Sequence, residues 1–131
     1  MKRIMLLALL CACASTQTAS DPDKPFVFRV RSLDPPPAIM AVWLSELEAC
    51  SGLSAEGQGG SIKYMTAERI IARGEAKLAS IHGDSITLRA DKAKVKLAVQ
   101  HEQMHWLLRN TPTTSDHPAQ YFNGACGNLG T

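Results

Sequence analysis

The stretch VQHEQMHWLLRN, residues 99–110, holds two histidines separated by three residues, His101 and His105, with Glu102 directly after the first. On a helix, four steps of about 100° bring both imidazoles to one side, within reach of a single ion. Glu102 then projects beside that ion without needing to bind it. A hydrolytic zinc site requires this set of groups. Neutral imidazoles hold the metal, the metal lowers the pKa of its bound water to about 7, and the carboxylate takes that water's proton. Random placement of the available His and Glu residues would produce the pattern at an expectation of roughly 0.4%, so it is worth following as chemistry. The competing reading is an amphipathic helix whose two histidines sit in a satisfied polar cluster.

A catalytic zinc needs a third protein ligand, and elimination narrows the choice. No glutamate follows Glu102, Leu108 and Thr111 occupy the places where HExxHxxGxxH needs glycine and histidine, and no methionine follows Met104. Two large zincin groups are thereby excluded. His117 is the better candidate, because a loop after the helix can fold back and Pro118 would stiffen it; Asp116 is the alternative ligand or a hydrogen-bonding partner of a ligand. Tyr121 is a candidate donor to the oxyanion of a tetrahedral intermediate, with a buried structural tyrosine as the competing reading. His82 falls on an expected turn and reads as solvated.

The elements that must position these groups follow from periodicity. FVFRVR, residues 26–31, alternates as a strand and is broken by Asp34-Pro35-Pro36-Pro37. Ile39, Val42, Trp43, Leu47 and Cys50 recur at helical spacing and predict a helix over 38–50 that ends at Ser51-Gly52. After the glycine-rich AEGQGGS, a strand is expected over 61–65 and a helical turn from Thr66 to Ala72, stopped by Gly74. Residues 77–81 and 85–89 read as a hairpin turning at Gly83. Asp91 is the expected N-cap of a helix running to about Asn110, with Ala93, Leu97, Met104 and Leu107 on one stripe and Ala98, His101, Glu102, His105 and Leu108 on another. The expected fold class is α+β, a small and mostly antiparallel sheet packed on two main helices. The strand at 85–89 is expected to border the cleft and pair with an extended peptide.

Composition bounds the rest. The chain has 131 residues, 45% hydrophobic and 20% charged, enough for one core and one domain, expected at 26–131. MKRIMLLALLCACA, residues 1–14, has a cationic start, a short apolar run and small residues, which is the build of a secretory signal. Two processing routes fit: cleavage after Ala14, or lipidation of Cys13 at the lipobox-like Leu10-Cys11-Ala12-Cys13, the preferred reading. Residues 15–25 would then be a flexible tether. Without Lys2 and Arg3 the 14 basic residues fall to 12, level with the 12 acidic ones, so nothing suggests nucleic acid. Cys50 and Cys126 remain as an even pair in an exported chain, with a disulfide as the default expectation and two free buried thiols as the alternative.

LEACSG (47–52), SIKY, a hairpin, HEQMHWLL and DHPAQYFNGAC (116–126) together resemble a group of small bacterial exported proteins and lipoproteins regarded as zincin-like metallopeptidases. Their recurring pattern is E-x-C-S-G, H-E-x-x-H-A-L-L and H-P-x-x-x-F-x-x-x-C, and the likeness spans about residues 43–128. It implies a minimal zincin with Zn2+ on His101, His105 and His117, Glu102 as general base, a Cys50–Cys126 cystine, and Glu48 as an acceptor for a ligand histidine. The chain departs from the pattern at Trp106, which would narrow the site, and at Gln100. The expected function is zinc-assisted hydrolysis of peptide or protein substrates by a monomer in the periplasm or on the outer membrane, with a lipid anchor as its membrane attachment. The alternative is a zinc-binding envelope module without turnover, in which Glu102 would be dispensable.

Overall fold

The computed structural model describes residues 25–130, so the signal-like segment with Cys13 and all of the tether except Pro25 lie outside the described residues. Among these residues the chain forms a mixed α+β structure of two small sheets and three helices. β1 (Phe26–Phe28) pairs antiparallel with β4 (Arg69–Ala72), which pairs with β5 (Glu75–Lys77). The second sheet has the order β2-β3-β7-β6, built from β2 (Arg31–Ser32), β3 (Lys63–Ala67), β6 (Ala79–His82) and β7 (Ser85–Arg89). Its β3–β7 pair is parallel and the other pairings are antiparallel.

The single strand expected over 26–31 is two strands in different sheets. Arg29 takes φ 51, a left-handed conformation that turns the chain out of β1 and into β2. The helical turn expected after Thr66 is also strand. β-Branched Thr66, Ile70 and Ile71 suit pleated backbone, and β3 and β4 find partners on β7 and β1, so tertiary pairing decides the conformation. Arg73 and Gly74, both at positive φ, make the two-residue turn into β5. The β6–β7 hairpin turns at Gly83 as expected, but β7 lies between β3 and β6 and has no free edge for a peptide; the outer strand is β6.

α1 (Ala38–Ser51) begins after the proline run and stops at Gly52, whose φ of 74 lets its N–H reach Glu48 O at 3.0 Å. Its inward face is Met40, Trp43, Leu44, Leu47 and Cys50, while Ile39 and Val42 are exposed. The expected stripe was rotated about the helix axis, since Trp43, Leu47 and Cys50 fit both settings. α2 (Lys96–Leu108) starts later than expected, because Asp91 pairs with Arg89 at 2.5 Å and a turn precedes Val95. Leu97, expected inward, is exposed, whereas Val99, Met104, Trp106 and Leu107 are buried.

Three polar devices place α2. Gln103, fully buried, donates through Nε2 to Met40 O on α1 at 2.9 Å and to Tyr64 Oη on β3 at 2.7 Å. Gln100 donates to Trp43 O at 3.1 Å. At the other end, Gln58 of a short 3-10 turn (Glu56–Gln58) donates to Leu107 O at 2.9 Å and occupies one of the carbonyls that a helix end leaves open. The short α3 (Ala119–Phe122) follows, and the Cys50–Cys126 disulfide, with a Cα separation of 5.2 Å, ties the C-terminal segment to α1.

Candidate metal centre

His101 and His105 leave α2 one turn apart, and the loop after it returns His117 to them. Their three Nε2 atoms form a triangle with each side 3.2 Å. A tetrahedral divalent ion bound through imidazole at about 2.0–2.1 Å has ligand–ligand edges of about 3.3–3.4 Å, so the three histidines lie close enough to bind a metal ion. Hydrogen bonding among the rings cannot account for the arrangement. A ring nitrogen either donates or accepts, and a closed triangle of three must leave at least one pair like against like. Of the two residues left open as third ligand, His117 lies in the cluster, while Asp116 is exposed and acts on it by charge, favouring protonation of His105.

The surroundings favour the neutral form of His101 and His105. Burial, followed by the neighbouring His101 and His117, pushes His105 down to about 4, and burial also lowers His101. Both are therefore uncharged at neutral pH, the form a ligand needs. Phe122, with no exposed surface, forms the floor, its ring centroid 5.1, 4.9 and 4.7 Å from those of His101, His105 and His117. His101 Nδ1 faces the backbone oxygen of Leu129 at 3.1 Å.

Glu102 follows His101 on α2, and burial alone pushes its carboxyl up to about 7. It makes no ion pair or hydrogen bond through its side chain among the described residues. A half-buried carboxyl poised near neutrality, one residue from a histidine of the cluster, is a general-base candidate. Next to the centre, a cavity of about 330 Å³ is bounded by His105, Arg109, Thr111, Ser115 and Asp116 among others. A larger recess of about 580 Å³ lies among Glu68, Arg69, Lys77, Arg89 and Asp91, away from the histidines.

Other expected residues fall elsewhere. Glu48 accepts the Ala55 N–H at 2.7 Å and fixes the exit from α1, so its carboxylate is engaged with backbone. Trp106 does not narrow the site. It is buried, its indole N–H reaches Asp84 at 3.4 Å, and Arg109 stacks on its ring at 4.7 Å. Tyr121 is half-buried against the core, with its hydroxyl unpaired among the described residues. His82 is exposed at the end of β6. Phe122 and Leu129 went unassigned in the sequence. A phenylalanine five residues beyond a ligand histidine gives a faint signal for the first, but a backbone carbonyl carries no residue-type signal at all. Comparisons with protein-family models, curated proteins and solved structures return no match for this chain.

Proposed function

We propose that this protein is a zinc-dependent metallopeptidase of the bacterial cell envelope, with His101, His105 and His117 holding the ion and Glu102 as general base. The observation that carries the reading is the 3.2 Å triangle of Nε2 atoms, two from α2 and one from the loop after it, with the half-buried carboxyl of Glu102 next in the chain to His101. Three imidazole nitrogens with a fourth position free suit zinc in a catalytic role. Zinc, when bound, supplies Lewis acidity and makes hydroxide available near neutral pH. Glu102 accepts the proton of the attacking water and returns it to the leaving amine. Tyr121 is the proposed hydrogen-bond donor to the oxyanion.

An extended peptide is the substrate class that the fold accommodates. Among the described residues β6 has a partner on one side only, and it packs on α2, so its outer edge can accept a strand. The cystine fits an oxidising, exported compartment. Lipidation at Cys13, in the lipobox-like Leu10-Cys11-Ala12-Cys13, is the proposed membrane attachment. The protein is proposed to act as a monomer.

Metal analysis of mature protein purified without chelator tests the site: one equivalent of zinc is expected, lost in His101→Ala and His117→Ala. Glu102→Gln should keep the metal and lower kcat by about 10²–10⁴ on any peptide the wild type cleaves. Zinc-loaded wild type that cleaves nothing in a broad peptide library would instead support the non-catalytic binding module.

A further inference from the structure

His101 has a contact that its own helix does not provide. Its Nδ1 stands 3.1 Å from the Leu129 backbone oxygen, and a carbonyl oxygen can only accept. In the neutral ring Nδ1 therefore carries the hydrogen, leaving a lone pair on Nε2, the atom that faces His105 and His117. Leu129 is itself fixed from several directions. The residue is 3% exposed, its N–H donates to Phe122 O at 2.8 Å, and nearby Cys126 is bonded to Cys50 of α1. The chain from His117 onward thus supplies a ligand, the floor under all three rings, and the acceptor that orients His101.

We propose that Leu129 is a positioning residue of the metal centre: its backbone carbonyl, held by the buried side chain and the Phe122 hydrogen bond, presents His101 in the metal-binding tautomer before any ion arrives. This rests on the reading of the three histidines as a metal centre, and it places part of the control of affinity in the C-terminal segment. A neutral imidazole has two tautomers, and only the one with a bare Nε2 can join the other two rings. Without the acceptor the ring must give up the competing tautomer and its rotational freedom when metal binds. Loss of such an outer partner typically lowers metal affinity 10–100-fold.

The experiment uses the mature chain and zinc alone. Nitrogen-15 spectra of the metal-free protein report which ring nitrogen of His101 bears the proton, and competition with a chromophoric chelator gives zinc affinity. The wild type should show Nδ1–H and a bare Nε2. A chain ending at Asn128 should lose that preference and bind zinc about 10–100-fold more weakly, while Leu129→Ala, which keeps the carbonyl and its Phe122 hydrogen bond but loses the buried side chain that helps to hold them, should retain the tautomer and lose less affinity than the shortened chain. A wild-type His101 protonated at Nε2 overturns the proposal, whether or not the shortened chain folds. A folded shortened chain with wild-type tautomer and affinity overturns it as well. Wild-type zinc affinity in His117→Ala would sink the metal centre itself, a failure distinct from that of Leu129 because the tautomer is read without metal.

Discussion

At the scale of single residues, Phe122 does what no ligand can do for itself. Three imidazoles that converge on one point need a surface behind them that excludes water and stops the rings from tilting, and a fully buried aromatic ring within 4.7–5.1 Å of each supplies it. Phe122→Ala should therefore have two effects of different kinds. The lost burial and the cavity should lower stability by about 3–5 kcal/mol. The loosened floor should also weaken zinc binding in the fraction that remains folded. Phe122→Leu should recover most of the stability and less of the affinity, because it restores volume without the flat face. Denaturant unfolding beside zinc titration checks this, and a Phe122→Leu variant that recovers both equally would show that Phe122 acts only as filling.

Between elements, Gln103 of α2 bonds to both α1 and β3, with Tyr64 Oη as one acceptor. Burial raises the Tyr64 pKa above its ordinary 10.0, against a smaller opposing effect from the Gln103 bond. A folded-state pKa above the unfolded one means that the native state holds this proton more tightly. Stability from Tyr64 is thus fully present below about pH 10 and is lost as pH climbs from there through the folded value. Alkaline titration should show the Tyr64 phenolate band, identified by its absence in Tyr64→Phe, appearing late and together with loss of native circular dichroism. Ionisation at pH 10 in a still-folded protein would contradict this placement. The same junction shows what was legible in the sequence. The helical spacing of His101 and His105, the hairpin at Gly83 and the end of α1 at Gly52 are local signals, and they hold. The pairings that make Thr66–Ala72 strand, bend the chain at Arg29 and bury β7 depend on partners far away in sequence, which periodicity does not report. His117 was found by elimination among residue types, whereas the Leu129 carbonyl belongs to backbone common to every residue.

Across the whole molecule, the helices and two small sheets of the described residues offer a limited core, and the segment that completes the histidine cluster runs on without a helix or strand after α3. Such a segment tends to open locally unless it is tied down. The Cys50–Cys126 disulfide ties it, joining positions 76 residues apart, and closing a loop of that size should stabilise the fold by about 4 kcal/mol in the chain-entropy model. For a domain of this size that corresponds to roughly 15–30 °C in Tm. Reduction, or the Cys50→Ser/Cys126→Ser pair, should lower the melting temperature by that order in metal-free protein. Saturating zinc should recover part of the loss, because an ion that binds only the assembled triad at 100 times its Kd adds about 2.7 kcal/mol to the native state. Thermal melts with and without reductant, each with and without zinc, separate the two contributions. If reduction left the metal-free melt unchanged, the C-terminal segment would be held by its packing alone, and the disulfide would have no part in keeping Phe122 and Leu129 against the histidines.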